Sequence, residues 1–138
     1  MERLLGPYAP YLYALMRIVL GVLFACHGAQ KLFGVLGGTT GDLFSLRGLA
    51  GIIECVGGLL IAVGFLTSYA AFLASGEMAV AFWYVHVMMI GMGKGLPAGL
   101  IPINNMGIDA VAFCFAFLYI CTRGPGIWSL DAMMKRPR

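Results

Sequence analysis

Charge is what this sequence has least of. Nine Lys/Arg and six Asp/Glu make up 11% of its 138 residues, against about 25% in soluble domains. So few charged side chains cannot cover a water-soluble domain of this length, which excludes a soluble enzyme and a disordered tail. No basic run occurs in the interior, so no nucleic-acid partner is expected; the basic residues gather at Lys135, Arg136 and Arg138. Cys26, Cys55, Cys114 and Cys121 contain no CxxC pair. The usual signature of a thiol–disulfide enzyme is therefore missing, and the four read as small apolar packing residues, with a Cys26–Cys55 disulfide as the alternative. The glycine-rich stretch 34–41 has no GK[ST] ending and is not a phosphate loop.

What the sequence has is apolar mass: 61% hydrophobic residues and twenty glycines, with a mean hydropathy of +0.92. Glycine is commoner in membrane helices than in soluble ones, so the composition points to a multi-pass membrane protein. Hydropathy predicts four spans, 11–33, 48–66, 69–93 and 105–122, each long enough for a bilayer core about 30 Å thick. The expected fold is all-α, an integral membrane four-helix bundle forming a single domain over 1–138. The first span contains Arg17 and lacks a small-residue cleavage site, so it is not read as a signal peptide. Thr67 and Ser68 form a tight turn, while Gly95, Pro97, Gly99 and Pro102 break helix in the next connection. Small pairs such as Gly58/Ala62, Ala70/Ala74, Ser75/Ala79 and Ala112/Ala116 allow close helix approach. Four spans place both termini on one side, with Arg3, Arg123, Lys135, Arg136 and Arg138. Arg47 and Lys94 lie on the other. The positive-inside rule then makes both termini cytoplasmic, in a cytoplasmic (inner) membrane. Tyr8, Tyr11, Tyr13 and Trp128 read as interfacial anchors.

Ionisable residues inside the spans carry the chemistry, because a charge at mid-bilayer costs about 2.5–3.5 kcal/mol even on insertion scales. Arg17, Leu20, Phe24, His27 and Lys31 share one helical stripe, with Gln30 beside it. Counted from the span borders at about 1.5 Å per residue, His27, Glu54, His86 and Asp109 all fall roughly 6–10 Å below the outer border. Arg17 and Glu77 fall near the opposite side and are expected to form a structural ion pair. Glu77 and His86, nine residues apart, cannot face the same axis on a straight helix.

Three uses of this cluster compete. In a redox or proton-handling pocket, His27, Glu54, His86 and Asp109 are the catalytic candidates and relay protons. Gln30 and Lys31 then bind a small ligand such as a quinone, with Phe24 and Trp83 lining its apolar slot. A metal or haem site would use His27, His86, Glu54 and Asp109, but the Glu-x-x-His spacing of di-iron bundles and a haem attachment motif are both absent. The third reading is that the charges neutralise one another and fix helix register. Met88, Met89 and Met92 suit a soft metal but read better as packing residues.

Four stretches in order resemble the DoxX family. They are Arg17, Gly21 and His27-Gly28-Ala29-Gln30-Lys31-Leu32-Phe33-Gly34; Glu54 with Gly57-Gly58 and Gly64-Phe65-Leu66-Thr67; Gly76-Glu77-Met78-Ala79-Val80-Ala81 with His86; and Arg123 through Asp131, Arg-Gly-Pro-Gly-Ile-Trp-Ser-Leu-Asp. In the fourth span the family often has Asn-Gly-Gly-Glu, where this chain reads Asn105-Met106-Gly107-Ile108-Asp109. The resemblance implies a four-helix membrane protein linked to redox chemistry: a membrane subunit of a quinone-linked oxidoreductase, working with the quinone pool and a soluble redox or sulfurtransferase-like partner. A non-enzymatic scaffold or chaperone-like partner of a redox complex is the rival reading. A proton-coupled carrier is a third, and would require a homo-oligomer. The sequence leaves open whether the chain is catalytic alone.

Overall fold

The computed structural model describes residues 2–134, with side chains from Arg3 onward. Lys135, Arg136 and Arg138, which entered the orientation argument, lie outside the described residues. Those described residues form helices and loops with no strand. A short helix α1 (Glu2–Leu5) and a 3-10 turn (Gly6–Tyr8) lead into α2 (Ala9–Phe33). Then come α3 (Leu46–Val63), α4 (Thr67–Ala81), α5 (Ile108–Arg123) and the short α6 (Leu130–Met134). The chain is a helical membrane bundle. Three helical stretches are long and apolar enough to cross a bilayer, Arg3–Phe33, Leu46–Val63 and Thr67–Lys94. At 16 residues α5 is shorter, about 24 Å at 1.5 Å per residue.

Helix ends follow local chemistry. Pro10 sits in the first turn of α2, where its missing N–H is not needed. Ser45 caps α3, its side chain accepting from the Gly48 N–H at 3.1 Å. At Gly64, φ is +72° and a Cβ would lie 2.3 Å from that of Ser129, so only glycine makes this turn. The fourth helix begins at Ile108, three residues later than the hydropathy reading. Fully buried Asn105 is used in the connection instead: its Nδ2 donates to the Gly99 carbonyl and its Oδ1 accepts from the Gly107 N–H, both at 2.9 Å. A carboxamide that satisfies backbone groups locally competes with helix.

The third helix changes character midway. After Ala81 it widens into a π-helix over Phe82–Ile90, then tightens to 3-10 at Gly91–Lys94. The wider turn resets the direction of every later side chain, including His86.

Packing is tightest between α2 and α3. A Cβ on Gly28 would lie 2.2 Å from the Cys55 nitrogen, and one on Gly58 2.5 Å from that of Ala25. The two backbones touch, as small residues permit in a membrane. The seam between α2 and α5 is bridged by rings: Phe24 with Phe117 at 4.7 Å and Phe113 at 5.6 Å, and Tyr13 with Tyr119 at 6.0 Å. The core is built largely of small residues (Ala70, Ala71, Ala74, Ala110) around Phe24, Ile61, Phe117 and Ile120. Large apolar side chains such as Phe72, Leu73 and Val80 face outward, as expected where the surroundings are lipid.

Candidate functional site

Two polar assemblies occupy this bundle, one at each end of α2. At the first, Lys31 Nζ meets Glu54 Oε1 at 2.6 Å, joining α2 to α3. Glu54 is 2% exposed. Gly51, one turn before it, lets the Lys31 stem lie against α3: a Cβ there would stand 3.1 Å from that of Lys31. The second oxygen of Glu54 is buried without a hydrogen-bond partner, and so is Oε2 of Glu77 on α4. Glu77 interacts electrostatically with Glu54 and Lys31, and His27 with Glu54. His27 is exposed and stands edge-on to Phe113, with ring centroids 6.1 Å apart. The result is an ion pair between α2 and α3, with the Glu77 carboxylate on α4 and the His27 imidazole within electrostatic range.

This cluster differs from the one expected. Glu77 is within electrostatic range of Glu54 and forms no ion pair with Arg17. Glu54 precedes Phe65 by eleven residues and Glu77 follows it by twelve, so on antiparallel helices leaving one turn the two carboxylates come level. Counting from opposite membrane borders had separated them. His86 lies beyond the start of the π-helix, and its Nδ1 is 3.1 Å from the Asn105 carbonyl, so it ties the third helix to the connection before α5. Asp109 is exposed in the first turn of α5. Among the described residues no three His, Cys, Asp or Glu side chains converge as metal ligands.

The expected lining also divides. Gln30 donates to the Leu36 carbonyl at 2.9 Å and shapes the loop after α2. Phe24 is fully buried in the aromatic seam. Trp83 is 59% exposed and packs edge-on to Phe82. It lines an apolar groove of 350 Å³ with Val87, Met88, Met92, Leu96 and Leu100, away from Glu54. The cysteines are free, so Cys26 and Cys55 form no disulfide.

Arg17 organises the second assembly. It is fully buried and forms no ion pair with Glu77; its guanidinium donates to four carbonyls instead. Nη1 reaches Ile61 and Ala62 at 2.6 and 2.7 Å, and Nη2 reaches Ile127 and Trp128 at 3.4 and 2.7 Å. Ile61 and Ala62 lie in the last turn of α3, where the Ile61 carbonyl also accepts from the Gly64 N–H at 3.2 Å and the helix dipole favours a cation. Asp131 completes the joint from the other direction. Its carboxylate accepts from the N–H of Leu66 (3.0 Å) and Thr67 (2.9 Å) and from the Thr67 hydroxyl (2.7 Å), capping α4 from 64 residues away. The Tyr13 hydroxyl donates to the Gly124 carbonyl at 2.5 Å. No residue spacing announces Asp131 as a cap. The sequence signal is that it closes the family-like stretch Arg123 through Asp131, after a Gly-Pro-Gly turn.

The DoxX family model matches residues 12–87. That stretch holds Arg17, His27, Lys31, Glu54, Glu77 and His86, and excludes Asp109 and the docked tail. An uncharacterized protein of Haemophilus influenzae is 38% identical over 133 residues, covering 92% of this chain and 93% of that protein. No solved structure matches. With more than half of the chain matched, including every charged residue buried between α2, α3 and α4, this protein belongs to the DoxX family.

Proposed function

We propose that the chain is a membrane subunit of a quinone-linked oxidoreductase, with the Lys31–Glu54–Glu77 cluster and His27 as its ligand site. One observation carries the reading: Glu54 Oε2, buried beside a 2.6 Å ion pair, has no partner. An unmet carboxylate oxygen in low dielectric is costly unless something donates to it. A quinone headgroup suits the site, because its reduction consumes two electrons and two protons and yields two hydroxyl donors. Lys31 holds Glu54 in place and supplies one positive charge beside two carboxylates. His27, at the exposed edge, orients a carbonyl and exchanges protons with the surroundings. Glu77 replaces Asp109 in the relay, and His86 takes a positioning role in the outer connection. The electrons come from a soluble redox or sulfurtransferase-like partner, and the protein sits in the cytoplasmic membrane with both termini inside.

Titration of the purified chain with short-chain ubiquinone and menaquinone analogues tests this. Saturable binding that weakens tenfold or more in Glu54→Gln, and less in His86→Gln, is the expected result. Absence of saturable binding, or equal binding by Glu54→Gln, overturns it. Full cellular function in His27→Ala and Glu54→Ala chains would instead establish the scaffold reading.

A further inference from the structure

Where α2 begins and α5 ends, a groove of 190 Å³ is lined by Pro10, Tyr13, Arg123, Gly126 and Ile127. The Arg123 guanidinium stands 5.9 Å from the centroid of the Tyr13 ring. It has no carboxylate or hydrogen-bond partner among the described residues. Beyond it the chain turns through left-handed backbone at Gly124, Gly126 and Trp128, with φ of 82°, 68° and 55°. Among the described residues, the N–H groups of Gly126, Ile127 and Trp128 donate to no acceptor. The carbonyls of Ile127 and Trp128 point inward to Arg17. In a trans peptide the N–H opposes the carbonyl, so the Trp128 amide is turned away from Arg17. Unbonded amides of a turn, beside a guanidinium with no carboxylate partner, are donors suited to an anion.

Charge and depth agree. Arg17, directly behind the loop, carries a buried positive charge whose Nε is unpartnered. The nearby carboxylate of Asp131 is turned onto the start of α4. Exposed Tyr8, Tyr11 and Trp128 surround this end of the bundle, and Tyr11 packs edge-on to Trp128 at 5.5 Å. Tyrosine and tryptophan gather at the headgroup level of a bilayer.

We propose that this groove is a phosphate site, with Arg123 and the amides of the 126–128 loop as donors. Two sources share that chemistry, the phosphodiester of an anionic lipid and free inorganic phosphate. The site does not depend on the quinone reading.

Native mass spectrometry of the full chain, released from micelles holding equal phosphatidylglycerol and phosphatidylcholine, tests the lipid source. The expected result is preferential retention of one phosphatidylglycerol per chain. Arg123→Gln lowers that retention about fivefold, the factor matching roughly 1 kcal/mol for one basic residue at a membrane surface. Arg123→Lys keeps most of it, which guards against misfolding of the glutamine variant, and Arg47→Gln on the far loop leaves it unchanged. Millimolar inorganic phosphate raising the melting temperature in lipid-free micelles, only when Arg123 is present, assigns the site to the free ion. Equal retention of both lipids with no phosphate effect, or an Arg123→Gln chain that behaves as wild type, overturns the proposal.

Discussion

Replacing Lys31 with methionine keeps the length of the side chain and removes its charge. Glu54, 2% exposed, then has neither oxygen paired. In a soluble interior, breaking a buried ion pair this way costs about 3–5 kcal/mol. In membranes, side-chain hydrogen bonds average only about 0.6 kcal/mol and reach about 1.7, because separated helices find other partners in the bilayer. An ion pair with one end so deeply enclosed falls between these limits, so Lys31→Met is expected to destabilise the bundle by about 2 kcal/mol. Glu54→Gln alone leaves an ammonium that reaches the edge of the bundle, and costs about 1 kcal/mol. The double variant has no unpaired charge at this position and should recover most of the loss, giving a coupling of at least about 1 kcal/mol. Reversible unfolding of the four proteins in mixed micelles, followed by tryptophan fluorescence, measures all terms of the cycle. Additive losses, with coupling below about 0.3 kcal/mol, would refute the view that this pair joins α2 to α3.

Three other outcomes follow from the geometry. Asp131→Ala removes three hydrogen bonds from the start of α4 and should cost about 1–2 kcal/mol, read as a lower unfolding midpoint; an unchanged midpoint would show that the tail does not cap the helix. Gly28→Leu forces a side chain into the Cys55 backbone and should cost about 3 kcal/mol or prevent stable assembly, measured by the yield of folded protein in micelles. Glu77→Gln should leave stability within about 0.5 kcal/mol of wild type, while Arg17→Gln removes the donor to four carbonyls and costs at least about 2 kcal/mol. Equal losses in the two would restore an Arg17–Glu77 pair.

The helices were legible because a bilayer forces them: long apolar stretches punctuated by Gly and Pro leave little other choice. Lys31 was legible near Glu54 because it lies one turn beyond His27 on one stripe, and His27 and Glu54 count to the same depth. Glu77 was misplaced because distance from a border depends on where the border is drawn, whereas distance from the shared turn at Phe65 does not. His86 was misdirected by the π-helix, which follows no apolar period. Arg17 was given a carboxylate partner because sequence displays side chains, and its actual partners are backbone oxygens, which every residue carries. Asp109 was drawn inward by its depth below the border; it is exposed in the first turn of α5.

The bonds of Arg17 also set an order on synthesis. Its residue emerges among the first seventeen, while two of its acceptors, Ile127 and Trp128, are translated about 110 positions later. Until they arrive, a guanidinium sits within the lipid with half of its eventual acceptors missing. A chain cut short before Ile127 would keep α2 through α5 and leave Arg17 with two of its four acceptors.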